Sequence, residues 1–179
     1  MNRIFLLLAL FLIVAAGVAY YFLGGFKQAS ITLETTSQPI FLAGRYFEGP
    51  ANSEAFGDLT HEAYEIRTSG KLRGTFVNIF YNDPASSSEA AKVFVGLIVE
   101  DTVSQKLPAG YRYRAFAAGQ RVLHARIEAS YLVAPDKLYS GVKDYAKREN
   151  LTLQKVYLEK FPATGPVEVL AVVKQEVRP

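Results

Sequence analysis

From Ile4 to Phe26 the chain runs for 23 residues without a charged side chain, and Lys27 closes the run. Hydrocarbon offers no partner to a free backbone N–H or C=O, so a lone segment of this kind in a bilayer is confined to a helix. At about 1.5 Å per residue it reaches roughly 34 Å, against a hydrocarbon core of about 30 Å. Tyr20, Tyr21 and Phe22 fall where an interfacial aromatic belt is expected. Small residues at Ala15–Ala19 also suit a cleavable secretory signal. The apolar run continues past them, which favours a retained single-pass anchor over residues 4–26. Arg3 and the terminal amine oppose Lys27, so the positive-inside rule predicts an inside N-terminus and an exported domain.

The remaining chain, roughly 150 residues, is enough for one core and requires no second domain. Residues 27–37 are polar and read as a linker or a first edge strand. Pro39–Phe47 reads as a strand whose Gly44 is a candidate bulge. Asn52 or Ser53 can cap a helix in which Ala55, Phe56, Leu59, Ala63 and Ile66 recur at helical spacing. The stretch Thr75–Pro84 and the run Lys92–Val99 read as a hairpin of two apolar strands joined by Asn82, Asp83, Pro84 and three serines. Strands follow at 111–116 and 121–129, then a helix opening at Pro135 and carrying Leu138, Val142, Tyr145 and Ala146. A last hairpin pairs 151–161 with 167–174. The order strand, helix, strand, strand thus occurs twice, over 38–101 and 111–174, at a period of about 80 residues that is too long for a solenoid. The expected fold is α+β: two such repeats in one antiparallel sheet over 38–174, helices on one face, with a groove where the repeats meet.

The formal charge of +3, or +2 once Arg3 is set aside with the anchor, is too small to argue for a nucleic-acid partner. No acid lies between Asp101 and Glu128, whereas Lys106, Arg112, Arg114, Arg121 and Arg126 do. That stretch is either a strand face whose acids come from elsewhere in the fold or a patch for anionic lipid or ligand. The absence of cysteine excludes a disulfide framework, a thiolate nucleophile and a cysteine-ligated metal. His61 and His124 are the only histidines and stand in no carboxylate cluster of ligand spacing. No metal or cofactor is expected, although counting alone leaves open a single axial haem ligand. Ser86, Ser87 and Ser88 read as turn residues.

Three short segments carry a resemblance. Tyr81-Asn-Asp-Pro84 precedes the hairpin turn, Gly49-Pro50 precedes the first helix, and Gln154-Lys-Val-Tyr-Leu158 opens a late strand. In this order across 38–174 they resemble the GyrI-like, or effector-binding, superfamily, which is built from two strand-helix-strand-strand modules. An N-terminal anchor directly ahead of such a domain resembles the architecture of the testis-expressed endoplasmic-reticulum autophagy receptor. That receptor's long recruiting tail has no counterpart here, so its role is not implied. The resemblance implies a membrane-tethered module taking a small ligand or a partner protein in the groove between the repeats.

Members that bind cationic drugs or hydrolyse strained cyclopropane adducts use a glutamate on the late strand beside aromatic residues. The matching position here is Lys155, next to Val156 and Tyr157. An ammonium repels cations and acts as a base only with a depressed pKa. Glu159, four residues on, restores a carboxylate if the alignment shifts by a residue or two. Tyr46, Tyr81, Lys155 and Tyr157 are therefore the candidate ligand-binding residues, each tyrosine offering an apolar wall with a polar tip. The competing reading for each tyrosine is core or sheet-surface packing. An alternative makes the protein a hydrolase of small electrophilic compounds, with Tyr157 and Glu159 or Glu48 as acid and base. Glu48 equally suits the start of the first helix, where the dipole favours a carboxylate. A third reading is a structural envelope protein whose groove is filled by its own side chains.

Overall fold

The computed structural model describes residues 2–84 and 90–175. Helix α1 (Asn2–Phe22) precedes β1 (Ser30–Thr35), β2 (Ile40–Gly49), α2 (Glu54–Thr68), β3 (Thr75–Phe80), β4 (Ala91–Val99), β5 (Arg112–Phe116), β6 (Arg121–Ile127), α3 (Ala134–Arg148), β7 (Leu153–Phe161) and β8 (Val167–Val173). The turn holding Ser86–Ser88 lies outside the described residues. One eight-stranded sheet has the order β1-β6-β8-β7-β3-β4-β2-β5, antiparallel throughout. Read outward from the β3–β7 pair, it is β3-β4-β2-β5 on one side and β7-β8-β6-β1 on the other. The doubled order expected from the sequence is therefore a palindrome in space, with both helices on one face. Of the two readings of residues 27–37, Ser30–Thr35 takes the second, pairing as an edge strand along β6.

Two four-residue connections dictate the shape of this sheet. β1 and β2 stand six strand positions apart in the order. In a flat sheet that is about 29 Å. The five Cα steps from Thr35 to Ile40 reach at most about 18 Å. Ala117–Gln120 imposes the same limit between β5 and β6. The sheet therefore curls until its two margins approach, and the connections bond to each other there. Thr36 N–H donates to Gln120 O at 2.9 Å, Gly119 N–H donates to Thr36 O at 2.7 Å, and Gln120 N–H donates to Thr36 Oγ1 at 2.9 Å.

The inner face of the curl is a core of Leu42, Val77, Ile79, Phe94, Leu158 and Leu170, among others. Gly44 lies on this face opposite Gly96, in unbroken register, so it marks no bulge. The reason for glycine is proximity: a Cβ on Gly44 would lie 2.1 Å from Val95 O, and one on Gly96 would lie 2.2 Å from Ala43 O. The irregularity in the sheet is instead in β7, between Leu153 and Tyr157.

The outer face carries the helices. In α2 the buried Leu59, Ala63 and Ile66 follow the helical repeat, and Ser53 caps the helix by accepting from Phe56 N–H at 3.3 Å. In α3 Pro135 occupies the first turn, Leu138, Val142 and Ala146 are buried, and Lys147 and Arg148 complement the dipole at its end. α2 packs on β2, β3 and β4, while α3 packs on β1, β6 and β8. The two helices thus straddle the central β3–β7 seam.

Residues 3–22 of α1 form the one helix among the described residues long and apolar enough to cross a membrane, and none of that stretch is buried by the domain. Its end is fastened to the β6–α3 connection. Ser130 N–H donates to Leu23 O at 2.9 Å, and Lys27 Nζ lies 3.5 Å from Glu128. The Tyr20 ring meets Phe26 edge-on at 5.1 Å.

Candidate functional site

At the centre of the outer face, where the repeats join, a polar residue stands between aromatic ones on each of the two central strands. Asn78 falls between Phe76 and Phe80, Glu159 falls between Tyr157 and Phe161, and Asn78 and Glu159 are direct partners in the ladder. Both are buried. Asn78 Nδ2 donates to Glu159 Oε2 at 3.1 Å, and Tyr139 of α3 donates its hydroxyl to Glu159 Oε1 at 2.6 Å. The Tyr157 ring stands edge-on to Tyr139 at 5.4 Å. Phe76 and Phe161, also ladder partners, pack at 5.8 Å along the same seam. Asn78 Oδ1 is buried and has no hydrogen-bond partner among the described residues.

Taking a carboxylate out of water costs several kcal/mol even after relaxation. Burial holds the Glu159 carboxyl above its ordinary pKa, while the donors from Tyr139 and Asn78 pull it back part of the way. Burial and the neighbouring carboxylate push the Tyr139 hydroxyl well above its usual range, so it stays a donor. The Tyr157 hydroxyl is pushed up to about 12 by burial and by the charge of Asp83. A carboxyl raised in this way exchanges its proton closer to neutral pH than an exposed one. Its ionised form calls for a cation or a further N–H or O–H donor.

The candidate residues divide between the two faces of the sheet. Tyr157 and Glu159 are together on the outer face. Tyr46, Tyr81 and Glu48 lie on the inner face, where the Tyr46 and Tyr81 rings are 6.3 Å apart. There Tyr46 donates its hydroxyl to Glu48 at 3.1 Å, and Lys92 pairs with Glu48 at 3.4 Å. Tyr46 is half exposed, so this group forms a solvent-facing rim. Lys155 is exposed within the β7 irregularity and has a left-handed φ of 58°. Sequence alternation places Lys155 on the face of Glu159, and Lys155 lies within the stretch where the β7–β8 register shifts, between Leu153 and Tyr157. The sequence reading names neither Tyr139 nor Asn78. For Asn78 the available signal is a polar residue in a strand between the apolar Val77 and Ile79, whereas Tyr139, on α3, carries no such signal.

The acid-free stretch meets its acids in the fold. His124 sits between two carboxylates, with Nδ1 2.7 Å from Glu34 and Nε2 3.0 Å from Glu168, and Lys160 reaches Glu168 at 3.2 Å. Arg126 approaches Glu34 at 3.9 Å. Arg114 donates to the Tyr81 hydroxyl and lies over the Tyr81 and Phe94 rings. The hydrogen bond from His124, together with the charge of Lys160, holds the Glu168 carboxyl down at about 2 against the opposing effect of burial. No group of histidine, aspartate and glutamate suited to a metal occurs among the described residues. Two open depressions of about 600 and 590 Å³ lie away from the seam, one by Gln120, Arg121 and Gln154, the other by Glu62, Ser69 and Pro108.

Three solved structures share this fold. An integron cassette protein of Vibrio cholerae matches with a TM-score of 0.59 at 13% identity, over 83% of this chain and 97% of its own. The C-terminal domain of EcmrR matches with a TM-score of 0.54 at 12% identity, over 83% of this chain and 98% of its own. A protein described as a hydrolase from Listeria innocua matches with a TM-score of 0.51 at 10% identity, over 83% of this chain and 92% of its own. The likeness is one of fold, and it is consistent with the GyrI-like resemblance read from the sequence. No family model and no curated protein matches the sequence.

Proposed function

We propose that the protein is a membrane-tethered GyrI-like module, with repeats over 38–101 and 111–174, that binds a small ligand over the β3–β7 seam. Glu159 receives the ligand's cationic or N–H-bearing group. The observation that carries this reading is a buried carboxylate supplied, among the described residues, with two side-chain donors, beside an Asn78 oxygen that has none among them. A carboxylate offers about four acceptor positions. One ligand group with two donors would serve Glu159 and Asn78 Oδ1 together. Tyr139, Tyr157, Phe76 and Phe161 supply aromatic walls, which favour a flat or lipophilic cation. Phe76 and Phe161 are only half-buried, and their displacement opens the seam. The length and apolarity of α1 support the tether.

The test is binding of rhodamine 6G to the full chain in nanodiscs by fluorescence anisotropy, with empty nanodiscs as the blank. Glu159→Gln is expected to weaken binding at least tenfold, about 1.4 kcal/mol, without lowering the melting temperature. Equal affinity in the two proteins refutes the site.

A second reading is favoured by the 2.6 Å contact between Tyr139 and Glu159, an acid and a base already hydrogen-bonded. It makes the seam a hydrolytic site for small electrophiles, and turnover of an epoxide or cyclopropane probe that is lost in Glu159→Gln would select it.

A further inference from the structure

Most exposed large apolar side chains of the domain stand singly, as Leu33, Tyr46, Tyr64 and Val103 do, and a single one needs no explanation. Tyr131 and Leu132 are different. They are consecutive, 69% and 64% exposed, and lie at the tip of the β6–α3 connection. That connection is stiffened so that both side chains stay outside: Val133 and Ala134 N–H donate to Ser130 O at 3.0 and 2.9 Å, and Leu132 N–H donates to Ser130 Oγ at 3.3 Å. It is also the connection tied to α1, because Ser130 N–H donates to Leu23 O. Tyr131 therefore begins one Cα step, about 3.8 Å, from the residue that holds the end of the apolar helix. On the helix side of that bond Tyr21, Phe22 and Phe26 are exposed as well.

We infer that Tyr131 and Leu132 insert into the interfacial layer of the bilayer that holds α1. They form a second, non-helical membrane contact that fixes how the domain sits on the surface. The inference rests on the reading of α1 as a retained anchor. The occupant is lipid because the patch is continuous with the aromatic end of a membrane-length helix. A tyrosine beside a leucine also has the amphipathic character of residues at the headgroup boundary. Glu128 and Asp136 flank the connection, and Glu128 is paired with Lys27, so the contact depends on apolar insertion rather than on anionic lipid. Seated this way, the start of α3 and the adjoining ends of β6 and β8 face the membrane, and Thr152, at the opposite end of the strands, points away.

The chain has no cysteine, so single-cysteine variants can be labelled without background. Leu132→Cys, Phe11→Cys and Thr152→Cys, each carrying a nitrobenzoxadiazole probe, are reconstituted as the full chain in phosphatidylcholine vesicles. The vesicles contain nitroxide lipids labelled either near the headgroup or deep in the acyl chain. The deep nitroxide is expected to quench the probe at position 11. The shallow one should quench position 132 several times more than position 152, with melting temperatures unchanged. Quenching at 11 with position 132 as dark to nitroxide as 152 overturns the inference and leaves the tether intact. Absence of quenching at 11 overturns both.

Discussion

Replacing Tyr139 with Phe removes one oxygen from the seam and leaves the ring that packs on Tyr157 in place. The bond lost is a 2.6 Å donation to a buried carboxylate. A hydrogen bond to a charged group contributes about 1.5–3 kcal/mol, and one between neutral groups about 0.5–1.5 kcal/mol. Tyr139→Phe should therefore destabilise the protein by about 2 kcal/mol at a pH where Glu159 is ionised, but by about 1 kcal/mol when Glu159 has already become Gln. The coupling of about 1 kcal/mol corresponds to a difference of about 2–4 °C between the two melting-temperature losses in a chain of this size. Thermal unfolding of the full chain in detergent, followed by far-UV circular dichroism for all four proteins of the cycle, measures it. Burial raises the Glu159 pKa, so the unfolded chain ionises this group first. Its contribution is complete at acidic pH and is lost as the pH rises through the raised value, so Glu159→Gln should gain on the parent as the pH increases. Equal melting losses for Tyr139→Phe in both backgrounds would show that the phenol does not serve a charge, and would remove the basis of the ligand site.

The inner-face ion pairs and the glycines give two further expectations. Glu168, held at about 2 in the folded chain, contributes stability that is present above its ordinary pKa of about 4.3 and disappears as the pH falls toward 2. Glu168→Gln should flatten acid unfolding across that window, and a melting curve against pH that keeps the parent's slope contradicts it. Gly96→Ala sets a methyl 2.2 Å from Ala43 O and should destabilise by about 1–3 kcal/mol or more, whereas Gly57→Ala in α2, with nothing within 4 Å, should stabilise by about 0.5–1 kcal/mol. Melting temperatures that move in the same direction for both variants would refute the packing account.

Much of the fold was legible because its elements announce themselves locally. Leu59, Ala63 and Ile66 repeat at helical spacing, as do Leu138, Val142 and Ala146, and the paired hairpins are apolar runs around turns. What could not be read was long-range. β1 borders β6, some ninety residues away along the chain, for reasons of curl that no local pattern encodes. Gly44 looked like a bulge because glycine in a strand has two uses, and only its partner Gly96 decides between them. At the candidate site, Tyr157 and Glu159 are legible from the late strand, but the residues that bond or pack against them arrive from elsewhere. Tyr139 belongs to a helix and Asn78 to the other repeat. Tyr46, Tyr81 and Glu48 were grouped with them by chemistry, and the pleat sends them to the opposite face. The register shift in β7 around Lys155 leaves no mark in composition.

The exchanged outer strands have a consequence for how the molecule comes into being. During synthesis β2 emerges with a bare flank that only Arg112–Phe116 can cover, and Ser30–Thr35 must wait for β6. An uncovered strand invites pairing with other chains. The strands β3-β4-β2-β5 are all present once Phe116 has emerged, whereas β7-β8-β6-β1 closes only when the last strand, Val167–Val173, is made. A break anywhere between them would leave both pieces with an open border.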